Sequence, residues 1–309
     1  MATTTNITST YAGEHALPYL QAALLNPSTI RNGGVTVKPN VKYKQVLKKV
    51  AMADLIKDGT CNFDAQGTVT LTENILEPVE FQVNYQLCKS DFRDDWEAMQ
   101  MGLSAHDNLP PNLQSFIIAK TAAEVASANE SIIWSGNSAN PGEYDGFVTL
   151  ATADATVIDQ AAAVGGVTAA NVIDELGKIV DKIPQTIFGK EDLYIYVSAN
   201  IYRAYVRALG GFGASGLGAN GFEGRGNNQV LGDLAFDGVK IFLAEGMPAD
   251  TAMAAQSSNL FFGTSLMSDW NEVKVLDMAD LDGSQNVRFV MRYSAAVQYA
   301  YGAEIVLYS

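Results

Sequence analysis

Histidine and cysteine are scarce in this chain of 309 residues, which has two of each. His15 and His106 lie far apart in sequence, and neither stands at metal-ligand spacing from a cysteine. Catalysis or zinc binding through these histidines is therefore not expected. Cys61 and Cys88 provide no disulfide framework, so two reduced thiols are predicted.

Long apolar runs are missing as well. No window contains the roughly 18 consecutive apolar residues that a membrane span needs. The N-terminal stretch MATTTNITST lacks the basic and apolar regions of a signal peptide. We therefore expect a protein that is made and folded in a cytoplasm and has no membrane partner.

Motifs for nucleotide binding and catalysis are missing or stand in the wrong context. The chain has neither a G-x-x-x-x-G-K-[ST] loop nor a G-x-S-x-G elbow. Residues 211–216 match the spacing G-x-G-x-x-G, but a predicted helix precedes them, whereas the dinucleotide fingerprint follows a strand. The acidic cluster around Trp96 and the acidic turn at 280–283 lack the partners that glycoside hydrolysis or calcium binding requires. The sequence predicts no enzyme, no metal site and no cofactor.

Charge is low in amount and uneven in distribution. Charged residues make up 17% of the chain and apolar residues 48%, which supports one large or two smaller cores. Residues 1–60 carry seven basic and three acidic residues, which gives a net charge of +4. Since the whole chain has a net charge of −14, the remaining residues carry −18. An acidic body disfavours direct nucleic-acid binding. A basic N-terminal segment suits docking on another copy, and a solvated charge bias without a partner remains the alternative.

Alternating apolar residues predict strands over 68–89, with Val69 and Leu71 on a buried face and a break at Pro78. Pro111 and Gly136 bracket a long amphipathic helix. One side of this helix is expected to be buried within the subunit and the other to point away from it. The buried side is Ile117, Ile118, Ala122, Val125, Ala128, Ile132 and Ile133, and the outward side is Lys120, Glu124, Ser127 and Glu130.

The remaining segments predict an arm, a hairpin and an α/β body. Residues 1–45 contain little that forms a core and predict an extended arm. Turn signals within 46–67 predict a protruding hairpin or loop. Helices are predicted near 172–183 and 201–209, a buried strand at 193–197, and further strands at 239–244, 260–262, 272–277, 286–292, 296–300 and 304–308. The glycine-rich loop 210–232 carries Phe212, Phe222 and Arg225, which either contact another chain or fold back on their own domain.

Five stretches in this order resemble the major capsid proteins of tailed bacteriophages, whose coat fold encapsulins share. They are residues 71–96, 114–136, 230–248, 259–278 and 287–307. The resemblance covers essentially the whole chain and implies an α+β phage major-capsid fold. It implies an N-terminal arm (1–45), an extended β-hairpin loop (46–80) and a peripheral domain (81–145 and 265–309) with a long spine helix (111–135) on an antiparallel sheet. The α/β axial domain is 146–264 with its loop 210–232, and the terminal strands either stay peripheral or return to the axial domain.

The resemblance also implies a function. The chain is expected to be a structural protein that forms hexamers and pentamers of an icosahedral shell around double-stranded DNA. The alternative is an encapsulin-like compartment that holds a cargo enzyme. Implied partners are other copies of the chain, a separate scaffold protein, a portal and decoration proteins, with packaged DNA bound without sequence specificity. The implied location is the virion, assembled in the cytoplasm of a bacterial host.

Candidate contacts between subunits come from basic and aromatic residues of the arm, the hairpin and the glycine-rich loop. They are Arg31, Lys38, Lys42, Lys48, Lys49, Lys57, Phe63, Phe212, Phe222 and Arg225. Two features depart from some family members. The arm is not preceded by a long helical scaffolding segment, so either a separate scaffold exists or none is needed. Nothing local marks Lys57 as reactive, so no Lys–Asn crosslink is predicted.

Overall fold

The structure, a computed structural model, describes residues 9–12, 27–41, 43–59, 61, 67–88, 111–209, 234–265 and 272–309. Its helices are α1 Ser28–Arg31, α2 Pro111–Ser135, α3 Phe147–Ala153, α4 Val172–Lys182, α5 Ala199–Leu209 and α6 Ala279–Asp282, with a 3₁₀ turn at Gly302–Glu304. Its strands are β1 Ser9–Ala12, β2 Thr36–Lys38, β3 Gln45–Ala53, β4 Thr68–Leu76, β5 Val79–Cys88, β6 Ile158–Gln160, β7 Leu193–Val197, β8 Ala235–Phe236, β9 Val239–Leu243, β10 Ala252–Gln256, β11 Leu260–Thr264, β12 Glu272–Asp277, β13 Asn286–Tyr299 and β14 Val306–Tyr308.

The first sheet is organised around β13, which pairs antiparallel with β5, β11 and β12. β2 adds to β11 in parallel and β1 adds to β12 antiparallel. The sequence predicted two strands, 286–292 and 296–300, where the structure has the single strand β13. The prediction of two strands was wrong because Ser294, between them, is buried and pairs with Glu80, so the strand continues.

The second sheet is mixed, with the order β6-β14-β10-β7-β9-β8. Alternate residues of its strands enter two different cores, because side chains on a strand alternate between faces. Leu193, Ile195 and Val197 of β7 pack with α4 and α5, whereas Tyr196 enters the core on the other face. The sheet therefore lies between two apolar layers, which agrees with the buried strand predicted at 193–197. The fully buried strand β10 was missed, because its small residues carry no strand signal.

The third sheet is the hairpin of β3 and β4, paired antiparallel from Gln45↔Leu76 to Ala53↔Thr68. It confirms the predicted hairpin and the break at Pro78. The buried face expected for Val69 and Leu71 is wrong, since both side chains are more than half exposed. Only the root of the hairpin is buried, where Leu47 and Leu76 pack with Val41, Ala296 and Ala300.

Helix α2 has the predicted bounds and, at 1.5 Å per residue, is roughly 38 Å long. Ile118, Ala122, Val125 and Ile133 are buried as expected, and Ile132 is half-buried. On the outward side, Lys120, Glu124 and Ser127 are exposed, which is also as predicted. Ala128 is exposed, contrary to prediction, and the side chain of Ile117 lies outside the described residues. The helix contacts the first sheet where the Tyr85 hydroxyl lies 2.6 Å from Thr121 Oγ1.

Glu130 corrects the predicted orientation of the helix. The prediction had it pointing away from the subunit, but its residue is only 6% exposed. Its carboxylate accepts hydrogen bonds from the backbone N–H of Thr29 at 3.0 Å and from the Thr29 hydroxyl at 2.5 Å. Trp134, one turn further on, is fully buried and donates its indole N–H to Thr29 Oγ1 at 2.8 Å. The polar side of α2 is thus exposed in the middle of the helix, but near the C-terminal end the segment that contains Thr29 covers it.

Residues 27–41 form a strap, and they correct the expectation that the arm contributes little to the core. Ile30 and Val35 belong to the central core together with Trp134 and Phe242. Val41 belongs to the cluster at the hairpin root. The strap enters the core because it covers part of the C-terminal end of α2, and this role cannot be read from its low apolar content. The sequence also predicts a short helical segment at 17–25 within the arm, and this segment lies outside the described residues.

The close approach of the strand-connecting turn at Gly246 to α2 carries a stability prediction. A Cβ at Gly246 would lie 2.1 Å from the Glu130 carbonyl oxygen and 2.7 Å from Ser131 Cα. Because both are backbone atoms, Gly246→Ala is expected to lower the free energy of unfolding by about 3 kcal/mol. Gly177→Ala in α4, where a Cβ meets nothing within 4 Å, should instead stabilise by up to about 1 kcal/mol. Urea unfolding followed by circular dichroism measures both, and equal midpoints would contradict the predicted clash.

Candidate assembly surfaces

The hairpin β3–β4 presents an apolar face that nothing in the described residues covers. Val46 faces Ile75, Val50 faces Leu71, and Met52 faces Val69 across the two strands. All six side chains are exposed, among them Leu71 at 68% and Met52 at 61%. The Lys48↔Glu73 pair interrupts this row. We call these six residues the hairpin ladder. Contiguous exposed apolar surface of this kind is typical of a site that another chain covers.

The root of the hairpin is fixed to the body by hydrogen bonds and packing. Asn74 donates from Nδ2 to the carbonyl oxygens of Tyr299 at 2.9 Å and Ala300 at 3.2 Å. Leu76 is fully buried, and a Cβ added to Gly263 would lie 2.7 Å from its Cδ2. The direction in which the ladder projects is therefore set by β11 and β13.

Replacing Asn74 tests this attachment. Asn74→Ala removes both hydrogen bonds and is expected to lower the free energy of unfolding by about 1–2 kcal/mol. It should also speed amide hydrogen exchange in β3 and β4 more than in β7 and β10. Glu73→Ala, which changes the neighbouring side chain on the opposite face of the hairpin, is the matched control and should change neither quantity. Uniform acceleration across the chain in Asn74→Ala would show that the contact supports the whole fold rather than the hairpin.

A cleft of about 580 Å³ lies beside the hairpin root. Its walls include Lys44, Glu77, Phe81, Arg292 and Tyr293. Lys44 and Glu77 form an ion pair at 2.8 Å, but both side chains are more than half exposed, so the pair adds little stability. Burial raises the pKa of Tyr293 above its ordinary value, so its hydroxyl stays protonated. The cleft offers aromatic and charged groups to a partner but contains no arrangement of nucleophile and base.

Five of the ten predicted contact residues belong to the described part of the chain and five lie outside it. Arg31 is exposed at the end of α1, Lys48 is exposed within the hairpin ladder face, and Lys57 is exposed beyond β3. Lys38 is half-buried, with its Nζ 5.2 Å from the ring centre of Phe261. The backbone of Lys49 lies in β3 opposite Thr72. The others lie outside the described residues: Lys42, Phe63, Phe212, Phe222 and Arg225.

Two buried tyrosines attach neighbouring segments without contributing charge: Tyr196 binds the strap, and Tyr144 binds α2. Tyr196 donates its hydroxyl to the Gly34 carbonyl oxygen at 2.5 Å, and Tyr144 donates to Asn129 Oδ1 at 2.7 Å. Burial raises the pKa of both tyrosines well above the ordinary value. Both hydroxyls are therefore protonated and able to donate at neutral pH.

Clusters of side chains that could bind a metal ion do not appear among the described residues. Within them, no three histidine, cysteine or acidic side chains come together as metal ligands would. Cys61 and Cys88 are not joined by a disulfide. The acidic turn at 280–283 is the one-turn helix α6, closed by Gly283 in the left-handed conformation. In the described part of the chain, no helix is both long enough and apolar enough to span a membrane.

The residues that sequence reasoning missed are polar. Asn74, Thr29 and Glu130 hold the hairpin and the strap, yet each looks like an ordinary surface residue in the sequence. A weak signal existed for Glu130, because it lies one helical turn from Trp134 and at the edge of the polar side of α2. Nothing in the sequence pointed to Thr29 as its partner, 101 positions away.

No protein-family model matches the chain, and no curated protein matches it in sequence. Solved structures do match it. The capsid of an empty GTA particle is similar with a TM-score of 0.59 at 15% identity, over 93% of this chain and 89% of that chain. The satellite phage P4 procapsid, including size determination (Sid) protein, has a TM-score of 0.58 at 12% identity, over 94% and 98%. A virus-like particle from Pyrococcus furiosus has a TM-score of 0.53 at 9% identity, over 94% and 98%.

These similarities extend over nearly the full length of both partners in each comparison. They show that the chain has the mixed α+β fold of proteins that build phage capsids and related particles. The predicted resemblance to phage major capsid proteins is thereby confirmed at the level of the fold.

Proposed function

We propose that the chain is the coat subunit of a phage-type shell, and that its hexamers and pentamers close into an icosahedral particle around double-stranded DNA. The observation that carries this proposal is the hairpin ladder on a body with the capsid fold. Six exposed apolar side chains on a two-stranded projection are a liability for a monomer. They are useful to a subunit that buries them against its neighbour.

Each element of the fold corresponds to a part of a phage coat subunit in this proposal. Helix α2 is the spine helix, and the sheet around β13 is the sheet of the peripheral domain. The sheet around β7, with α4 and α5, is the axial domain, and β14 returns to it from the C-terminus. The glycine-rich loop 210–232 points toward the capsomer centre in this assignment, where Phe212, Phe222 and Arg225 meet their equivalents in other copies.

The charge distribution supports a wall that encloses DNA without binding it tightly. The net charge of −14 repels phosphate groups, so the shell does not hold the genome it must release. The basic excess within residues 1–60 remains available for acidic surfaces of neighbouring subunits. The proposed partners are other copies of the chain, a portal, a separate scaffold protein unless assembly needs none, and decoration proteins where the shell carries them, and the proposed location is the virion.

Electron microscopy of the purified recombinant chain tests the proposal. Closed shells or capsomer rings are the expected result, and a strictly monomeric chain at high concentration would contradict it. Nuclease protection of DNA in particles made in the presence of the neighbouring packaging genes tests the enclosed content. Particles that never protect DNA would contradict that part.

The alternative is a compartment that stores a cargo enzyme, as encapsulins do. The similarity to the virus-like particle from Pyrococcus furiosus favours keeping it. Mass spectrometry of particles purified from the native source separates the two functions. A single co-purifying enzyme and no nucleic acid would support the compartment, whereas DNA and a portal would support the phage shell.

A further inference from the structure

We propose that Glu130 is a positioning residue for shell assembly, because it anchors the strap of residues 27–41, from which the projecting hairpin β3–β4 starts. The proposal rests on the coat function proposed above. The strap follows residues 1–26 in the chain and precedes the hairpin. Whatever holds the strap therefore sets its position on the body and how the hairpin is attached.

The anchor is a chain of three donors and one carboxylate. Trp134 Nε1 donates to Thr29 Oγ1 at 2.8 Å, and the same hydroxyl donates to Glu130 Oε1 at 2.5 Å. The Thr29 backbone N–H donates to the second carboxylate oxygen at 3.0 Å. Thr29 and Trp134 are fully buried and Glu130 nearly so. Hydrogen bonds to an ionised acceptor in a low-dielectric site are stronger than neutral ones, and consecutive bonds polarise each other.

The strap then crosses both sheets before it reaches the hairpin. The Gly34 carbonyl oxygen accepts from Tyr196 of the second sheet. Thr36–Lys38 pair in parallel with β11 of the first sheet, and Thr36 Oγ1 donates to the Ser257 carbonyl oxygen at 3.1 Å. The Val41 N–H donates to the Thr264 carbonyl oxygen at 3.1 Å, beside Leu76 at the hairpin root. One continuous segment thus connects α2, both sheets and the hairpin.

The contacts of the strap C-terminal to Thr29 involve few residues each. The bonds to Glu130 hold the strap near its N-terminal end. Parallel pairing over three residues is too little to hold the strap in register by itself. Loss of the Glu130 carboxylate leaves residues 27–35 attached through the burial of Ile30 and Val35 and through two hydrogen bonds, from Trp134 to Thr29 and from Tyr196 to Gly34. We therefore expect the strap to detach from its N-terminal end, while α2 and the second sheet stay folded.

The test compares Glu130→Ala and Glu130→Gln with Glu124→Gln, an exposed residue on the same helix. On unassembled full-length protein, Glu130→Ala should speed amide hydrogen exchange at residues 27–41 at least about tenfold, with exchange in β7 and β10 unchanged. Shell yield should fall at least about tenfold or give misshapen particles. Glu130→Gln keeps one oxygen acceptor for Thr29 and should restore part of both properties, whereas Glu124→Gln should match the wild type.

The results distinguish three claims: that Glu130 anchors the strap, that this anchor is needed for assembly, and that the chain is a coat subunit. Unchanged exchange in the strap of Glu130→Ala would overturn the anchor. Faster exchange with normal shells would overturn its role in assembly. A wild-type chain that never forms shells would refute the coat function, and the exchange result would still stand. Thr29→Val keeps the packing and removes the two bonds of the Thr29 hydroxyl, with Trp134 and with Glu130, so it should give the same pattern if Glu130→Ala fails to fold.

Discussion

Deleting residues 1–40 is expected to give an insoluble or unfolded chain. The deletion removes Ile30 and Val35 from the central core, and fully burying one such side chain is worth about 1.5–3 kcal/mol. It also removes the two hydrogen bonds that Thr29 donates to the Glu130 carboxylate, each worth about 1–3 kcal/mol. Together these losses approach the roughly 5–15 kcal/mol of total stability that a domain possesses.

Deleting residues 1–26 is the matched control, because it leaves the strap intact. Its only described loss is the four-residue pairing of β1 with β12 at the edge of the first sheet. We expect a soluble chain with the same circular dichroism and an unfolding midpoint near that of the full-length protein. It should fail in shell assembly if the arm contacts neighbouring subunits. If the deletion of residues 1–40 is soluble and cooperative in unfolding, the strap contributes less to the core than its burial indicates.

Regular elements with strong periodicity were predictable from the sequence. The bounds of α2 followed from Pro111 and Gly136, and its buried face followed from apolar residues that recur every three or four positions. The hairpin followed from its turn signals, and β7 from a short apolar run. In each case, local chemistry and tertiary packing favour the same structure.

The errors in the sequence-based predictions arose where a contact with a residue distant in sequence determines burial or strand length. Glu130 is a strong helix former on the edge of a polar face, and its burial results from contacts with the strap and with the turn at Gly246, both distant in sequence. β13 continues through Ser294 because Ser265 Oγ lies 2.6 Å from its hydroxyl, which satisfies a buried polar group. Val69 and Leu71 look like core residues in the sequence, but the hairpin projects beyond the core. A period-two pattern shows that one face is apolar and does not show what covers it.

The candidate surfaces could be predicted only in part. Charge and composition pointed to contacts between copies through basic and aromatic residues. The structure adds the hairpin ladder, which is aliphatic and was not among the predicted contacts apart from the interspersed Lys48. The capsid fold makes a neighbouring copy the natural partner for such a surface, and this expectation leads to the assembly experiment.

Replacing Val50 and Leu71 together by threonine is expected to abolish shell formation without unfolding the subunit. These two residues face each other across the hairpin and are 42% and 68% exposed. Threonine retains strand propensity, so the free energy of unfolding should change by no more than about 0.5 kcal/mol. If a neighbour buries the exposed parts, the loss is about 3 kcal/mol per interface. At 1.4 kcal/mol per factor of ten, the concentration needed for assembly should rise about 100-fold.

Leu281→Thr provides the matched control, because Leu281 in α6 is 72% exposed and lies outside the hairpin. Light scattering against protein concentration measures assembly, and urea unfolding confirms that each variant is folded. The double variant should stay dispersed at concentrations at which the wild type and Leu281→Thr form particles. Equal loss of assembly in Leu281→Thr would mean that any exposed apolar side chain is sufficient. Normal shells from the double variant would mean that the ladder faces solvent in the particle, and the contacts that close the shell would then have to lie elsewhere on the subunit.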